Sequence, residues 1–296
     1  MKSMRVMVAA ICLVGCVNSP EAGTRESAPS ANTVSGMQVG LGSCVSLDSD
    51  ANRTLLPVVF AAAVSEGLNL LNAALSQAAS DTTWSVRGAR NLPARADGKF
   101  PSCVQIVRGR FRTDFRQASG DPLNGLSLPD GARGRLEANG IWLADRPDFV
   151  FEGQILTSAD ETAATIRPLY ATMVRPIEDR GLGEQGMARS VVAFFALSRP
   201  GQSPALDGSP AATVVLGPMR PGQVLRFAGF ASDGSGQPSA VYDTPWFTLS
   251  AADAKGPLTA TAMISETRPG NEFAKFLAAI FTRPDVTSEI TQAITQ

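Results

Sequence analysis

The sequence predicts a β-rich α+β protein: antiparallel, sandwich-like strands with one long N-terminal helix and a C-terminal helical segment. Three observations predict this class. Alternating apolar and polar residues recur in short runs, Asp-Gly and Asn-Gly pairs suited to tight turns separate them, and helical apolar spacing is confined to two segments. Helix-sized gaps between the predicted strands are missing, which argues against a doubly wound parallel sheet.

Composition sets limits on function. The chain has 296 residues, of which 44% are hydrophobic and 18% charged, so it can bury a sizeable core. Its formal net charge of −1 gives no bulk attraction to nucleic acid. The absence of histidine excludes Ser-His-Asp and Cys-His nucleophile systems and His-ligated zinc.

The first residues have the pattern of an export signal. Lys2 and Arg5 precede an apolar run, residues 6–13, that is shorter than the about 20 residues needed to cross a bilayer. The run ends in Leu-Val-Gly-Cys at residues 13–16, which resembles the lipobox of bacterial lipoproteins. The resemblance covers only this leader, and it implies cleavage before Cys16, diacylation of the Cys16 sulfur, for example with palmitate, and acylation of the new amino terminus.

The resemblance also implies a location. A multiply acylated terminus is sufficient for stable membrane anchoring. Residue 17 is Val, whereas Asp is the usual inner-membrane retention residue of lipoproteins, so we expect the outer membrane, facing the periplasm. The alternative is an ordinary signal peptide with a coincidental cysteine, because Cys12 occurs in the same run.

Four regions follow from these patterns. We expect a cleaved signal peptide at 1–15, the lipidated cysteine and a flexible tether at 16–40, a helix-plus-sheet region at 41–180, and a sandwich-like region ending in helices at 181–296. The tether is expected because residues 17–36 are small and polar, with little to pack.

Two cysteines remain in the mature chain. Cys44 and Cys103 form an even pair in an oxidising compartment, so the sequence predicts a disulfide. Closing a loop of this size stabilises by about 4 kcal/mol in the chain-entropy model. A reactive thiol is the alternative, although neither a CxxC motif nor a histidine is present to support a thiolate.

The predicted elements begin with a helix over residues 58–79, where apolar residues recur every three or four positions. We interpret it as packing on the core. The strands then follow at 84–92, 104–115, 135–143, 149–155, 165–174, 190–197, 212–216, 224–230, 245–249 and 258–264. The chain returns to helix at 271–281, where Asn271 is the expected cap and Pro284 the stop, with a last short helix over 286–294.

Catalytic motifs are weak. Residues 181–186 match GxGxxG, but no strand precedes them and no helix follows, so we interpret them as a loop. A serine nucleophile would lack a base. Paired acids could support a glycosidase, although solvated loop charges are the simpler interpretation: Asp48 with Asp50, Asp160 with Glu161, and Glu178 with Asp179. We therefore predict no catalytic residue, no metal site and no cofactor.

One charge pattern suggests binding. Between residues 87 and 116 there are eight basic and two acidic side chains. On a single strand, Arg108, Arg110, Arg112 and Arg116 would share one side. Arginine pairs well with carboxylates and phosphates, so these four residues are the candidate binding face. A solvated strand face neutralised by neighbouring acids is the alternative.

Together the patterns predict a membrane-anchored periplasmic lipoprotein that acts as a non-catalytic scaffold or assembly component of the cell envelope. Its expected partners are the membrane, through the N-terminal lipid, and an envelope protein or anionic polymer. Nucleic acid is not expected. Two other hypotheses stay open: a carboxylate-dependent cell-wall hydrolase, and a carrier of lipids or small ligands.

Overall fold

A computed structural model of the chain describes residues 32–47, 83–94, 100–114, 120–178, 188–201, 211–227, 244, 246–248 and 256–268. Ten strands and one short helix lie in these ranges. They are β1 (Thr33–Gly42), β2 (Thr83–Leu92), β3 (Cys103–Arg112), α1 (Ala132–Ala138), β4 (Phe149–Thr157), β5 (Ala163–Met173), β6 (Arg189–Ser198), β7 (Ala211–Met219), β8 (Gln223–Arg226), β9 (Phe247–Thr248) and β10 (Leu258–Thr267).

The strands form two antiparallel sheets. The first sheet has the order β1-β3-β4-β5-β8, and β9 also pairs with β5. The second sheet has the order β2-β10-β6-β7. Since β2 pairs with β10 and β5 pairs with β8, residues on both sides of the expected boundary at 180/181 contribute to each sheet.

The main apolar core lies between the two sheets. Along β3, Val104 and Ile106 face this core because alternate residues of a strand point to the same side. The second sheet contributes the matching inward positions of β6 and β10, including Phe195, Leu197 and Ile264. Each such side chain contributes about 1.5–3 kcal/mol relative to full exposure.

A smaller core covers the other side of the first sheet. Leu136 of α1 and Ile141 pack there against Val107 and Phe111 of β3. The hydroxyl of Tyr170, buried in this core, donates to the Leu126 carbonyl at 2.5 Å. Burial raises the pKa of Tyr170 to about 12, so the hydroxyl stays protonated and remains a donor.

The edge strands β1 and β2 approach each other closely. A Cβ atom at Gly88 of β2 would lie 2.3 Å from the Met37 carbonyl oxygen of β1, closer than real contacts allow. Beyond this point Arg90 of β2 donates a hydrogen bond to the Asn139 carbonyl. A glycine therefore allows these strands to meet and close one side of the sandwich.

The fold class predicted from sequence is wrong. The described residues form a β-sandwich whose single helix, α1, has seven residues, and neither a long N-terminal helix nor a C-terminal helical segment is seen in them. The predicted helices at 58–79 and 271–281, and the short one at 286–294, lie outside the described residues. Helical apolar spacing indicates which side chains could share a face, whereas the sheets of this core arise from pairings between residues far apart in sequence.

Most predicted strands are confirmed. One predicted strand is wrong, and one observed strand was not predicted. Residues 135–143 were expected to form a strand, but α1 covers the first part, because Ala132 and Leu136 bury one helical face. Strand β1 was not predicted, and it includes the last residues of the expected tether. Its Gly-rich sequence has weak strand propensity, so its pairing with β3 determines its conformation.

The close approach at Gly88 leads to a stability prediction. Replacing Gly88→Ala should lower the free energy of unfolding by about 1–3 kcal/mol, because the new methyl group would overlap the Met37 carbonyl. Urea denaturation measures this change.

Gly134→Ala is the matched control, because a Cβ there has open space and Gly134 lies in α1. It should raise stability by about 0.5–1 kcal/mol through helix propensity. If Gly88→Ala is as stable as the unmodified protein, β1 and β2 do not approach each other as closely at Gly88 as described.

Candidate functional site

The predicted disulfide is present. Cys44, in the loop after β1, is bonded to Cys103 at the start of β3, with 5.1 Å between the two Cα atoms. The bond spans 59 residues and stabilises by about 4 kcal/mol in the chain-entropy model. It joins two neighbouring strands of the first sheet at the end where β1 leaves it.

A buried carboxylate holds the same loop by hydrogen bonds. Glu152 of β4 is 1% exposed and accepts from the amides of Val45 and Ser46, the latter at 2.7 Å. It also accepts from the Ser46 hydroxyl and, at 2.9 Å, from the side-chain amide nitrogen Nε2 of Gln105. A buried carboxylate with this many donors is fully engaged in structure, so Glu152 acts here as the anchor of the loop.

Side chains from α1 and β3 complete the anchor. The Asn139 amide donates to the Ser43 carbonyl at 2.8 Å and to the Gln105 side-chain oxygen at 3.0 Å. Arg135 donates to the Val45 carbonyl at 2.9 Å. The loop is therefore fixed by groups from three elements as well as by the disulfide.

The candidate binding arginines have different environments. Arg108, Arg110 and Arg112 lie on one side of β3, as the alternation predicts, whereas Arg116 lies outside the described residues. Arg108 is only 6% exposed and forms an ion pair with Glu266 of β10 at 3.2 Å. It also donates to the Arg175 carbonyl, so it connects the two sheets instead of facing solvent.

The other two arginines lie at the end of β3. Arg110 pairs with Asp145 at 2.6 Å, and its side chain is 33% exposed. Arg112 pairs with Glu137 at 3.0 Å and lies over the Trp142 ring, 5.5 Å from its centroid. Neighbouring acids thus pair with both side chains, as expected for a strand face whose charges are neutralised by nearby acids. Arg110 is the more accessible of the two arginines.

Sequence reasoning missed a buried charged layer at the end of the main core. Glu266 and Arg189, both 0% exposed, face Arg108 across the sandwich. Glu266 accepts from the Ile177 amide at 2.8 Å, and Arg189 donates to the Glu178 carbonyl at 2.7 Å. The three charged side chains thereby hold the segment that crosses from β5 to β6.

An aromatic ring flanks this layer. Trp84 of β2 lies opposite Glu266 in the sheet register, and the Arg189 guanidinium lies 4.8 Å from the Trp84 ring centroid. The sequence did contain a signal for the layer: Glu266 continues the inward alternation of Ala262 and Ile264, as Arg108 continues that of Ile106. Strand alternation places Glu266 and Arg108 on the same side as their apolar neighbours, but it does not show that this side is buried.

Burial shifts the protonation of these groups. It raises the pKa of the Glu266 carboxyl, while the charge of Arg108, the Ile177 amide and the charge of Arg189 act in the opposite direction. Burial also lowers the pKa of Arg108. Because Glu266 is inaccessible to a substrate, its raised pKa reflects the cost of the buried charge and gives no general acid for surface chemistry.

Within the described residues, the remaining sequence motifs bring no further functional side chains together. Asp160 and Glu161 lie in the exposed β4–β5 turn, where Ser158 donates to Asp160 at 2.6 Å. Three other candidates lie outside the described residues: the GxGxxG segment at 181–186, Cys16 of the segment that resembles a lipobox, and the pair Asp48 and Asp50. Within the described ranges, no group of three metal-ligating acids or cysteines occurs, and no helix has the length and apolarity to cross a membrane.

The loop anchor can be tested by Glu152→Gln. The new amide group would face the Val45 and Ser46 donors, so the free energy of unfolding should fall by about 1–3 kcal/mol. Chemical denaturation of the oxidised protein measures this loss. Glu161→Gln, in the exposed turn, is the control and should leave stability within about 0.5 kcal/mol. Two equally stable variants would contradict the anchor.

The charged layer predicts a pH dependence. Because the folded pKa of Glu266 is raised above its ordinary value of 4.5, the folded state binds this proton more tightly than the unfolded chain. The stabilisation is complete below pH 4.5 and is lost as the pH rises through the folded pKa, with a slope of at most about 1.4 kcal/mol per pH unit.

Glu266→Gln removes this titration. The stability of the unmodified protein relative to Glu266→Gln should therefore decline as the pH rises from 4.5. Urea midpoints across the acid-to-neutral range measure the difference. If this difference stays constant or increases, the neighbouring arginines favour the charged form of Glu266 more than burial disfavours it, and the prediction is wrong.

Comparison with known proteins gives no relative: no family model, no curated protein and no solved structure matches the chain.

Proposed function

We propose that this protein is an outer-membrane lipoprotein, anchored through Cys16 at the periplasmic face, whose β-sandwich acts as a non-catalytic scaffold or assembly component of the cell envelope. Its partner is an envelope protein or an anionic polymer. The observation that carries the proposal is the combination of a lipobox at residues 13–16 with a disulfide between the two cysteines of the mature chain.

The disulfide supports an exported location. Such bonds persist in oxidising compartments and are rare in the cytosol, where thiols are kept reduced. Cys103 is fully buried at the start of a central strand, and the bonded loop is held by Glu152 and Asn139 as well. These contacts are those of a structural bond and fit a protein that folds after export.

The buried carboxylates of the described residues have structural roles. Glu152 and Glu266 are the carboxylates most deeply buried there, and each is committed to holding a segment of backbone. The glycosidase hypothesis needs two accessible acids across a cleft. Neither the hydrolase nor the carrier hypothesis gains a specific observation from the described ranges.

The anchor is tested by Cys16→Ser. In cells fed a labelled fatty acid, the unmodified protein should carry the label and fractionate with the outer membrane, because acylation requires the Cys16 sulfur. Cys16→Ser should lose the label and leave the membrane fraction.

Cys12→Ser is the matched control, because Cys12 belongs to the removed leader, and it should be labelled like the unmodified protein. A Cys16→Ser chain that is still acyl-labelled would contradict the proposed location. Crosslinking in cells, followed by mass spectrometry of the co-purified material, then identifies the partner.

A further inference from the structure

We propose that the corner of the sandwich formed by the start of β1, the end of β3, the Arg133–Glu137 pair of α1 and residues 142–146 rests on the phospholipid headgroups of the bilayer that holds the lipid anchor. We refer to this corner as the headgroup face. The inference rests on the proposed anchoring at Cys16 and adds a second membrane contact, made by the folded body itself.

The point at which the chain enters the sandwich supports this face. Asn32 is the first described residue, and its carbonyl accepts from the Thr113 amide at 2.9 Å beside the end of β3. Thr33 then pairs with Arg112. Sixteen peptide steps separate Cys16 from Asn32, which limits the distance between them to about 55 Å. The covalent connection therefore limits the distance between this corner and the acylated residue to that length.

The first sheet extends beyond the second at this corner. On the inward side of β3, Ile106 is fully buried and Arg108 is 6% exposed, but the Arg110 side chain is 33% exposed. Ser35, opposite Arg110 on β1, is exposed as well. Within the described residues, the charged layer thus ends the sandwich interior, and the next inward-facing pair, Ser35 and Arg110, reaches solvent.

An aromatic and an aliphatic side chain lie at the same corner. The bridge between Phe111 and Leu143 places Trp142 beside Arg112, on the side of the sheet that carries Arg110. Val34 lies opposite Phe111, on the other side of this edge of the first sheet, and is the one exposed large hydrophobic residue of the described ranges, at 50%. Tryptophan is enriched at membrane interfaces, because its ring combines a large apolar surface with one polar N–H group.

The charges of the face suit phosphate groups. Arg112 and Arg133 share a single carboxylate oxygen, Glu137 Oε1, each at 3.0 Å. Arg146 is exposed next to the Arg110–Asp145 pair. With Asp114 included, four arginines face three acids, an excess of one positive charge.

Several arginine donors on this face are unused within the described chain. Arg110 Nε, Arg112 Nη1 and Arg133 Nη2 have no hydrogen-bond partner there. These three nitrogen atoms are themselves buried, and the Arg112 side chain is only 7% exposed, so Arg110 and Arg146 are the accessible cations of this face. Guanidinium groups bind phosphates through paired hydrogen bonds, and a tether that confines the body near the bilayer makes even weak contacts effective.

The experiment uses the full acylated chain in vesicles of phosphatidylethanolamine and phosphatidylglycerol whose acyl chains are brominated near the headgroup. Bromine quenches tryptophan fluorescence at short range, and Trp142→Phe identifies the share of quenching due to Trp142. The unmodified protein should be quenched more than Trp142→Phe. The double variant Arg110→Gln, Arg146→Gln should lose about half or more of that excess, because two of the four cations are removed.

Arg87→Gln is the matched control, because Arg87 is exposed on the outer side of the second sheet. It should leave the quenching unchanged. Urea midpoints check that all variants are folded. Quenching of the unmodified protein equal to that of Trp142→Phe overturns the inference, as does full quenching in the double variant.

A second measurement distinguishes failure of the proposed anchoring at Cys16 from failure of the headgroup face. Vesicle flotation in high salt reports the anchor alone, since salt screens the arginine contacts but not acyl insertion. A chain that does not float overturns the proposed anchoring. A chain that floats without Trp142 quenching overturns only the headgroup face.

Discussion

The ion pair between Arg108 and Glu266 is the contact on which the arrangement of the two sheets depends. Apolar surfaces attract without directional preference, so a core of Val, Ile and Phe would accept several alignments of one sheet on the other. A buried charge accepts only the alignment that brings its partner into reach, because an unpaired buried charge is very costly. Arg108 and Glu266 come from different sheets, and their pairing selects one alignment.

The same layer determines the path of the chain between the sheets. The segment after β5 must cross to β6, and its backbone groups at residues 175, 177 and 178 all bond to charged side chains of the layer. Backbone polar groups that are taken out of water need such partners. The layer also marks where the apolar interior ends, and therefore where β1 and β3 project beyond the second sheet.

The loop after β1 is stabilised in two physically different ways. The Cys44–Cys103 bond acts mainly by restricting the unfolded chain, whereas Glu152 and Asn139 act in the folded state through directional hydrogen bonds. The two mechanisms together define the end of β1 that is far from the headgroup face. The edge strand β1 is therefore held at its Gly42 end both by a covalent bond and by hydrogen bonds.

The local sequence determined much of this protein: the short alternating strands, the shared side of Arg108, Arg110 and Arg112, and the pairing of Cys44 with Cys103. It could not determine β1 or α1, because β1 depends on pairing with β3, and the same residues at 135–143 fit a helix turn or a strand. Only the tertiary structure decided that one side of β3 is buried at Arg108 and exposed at Arg110. The reason is physical: strand period depends on neighbouring residues, whereas burial depends on which distant strand, here β10 with Glu266, lies on top.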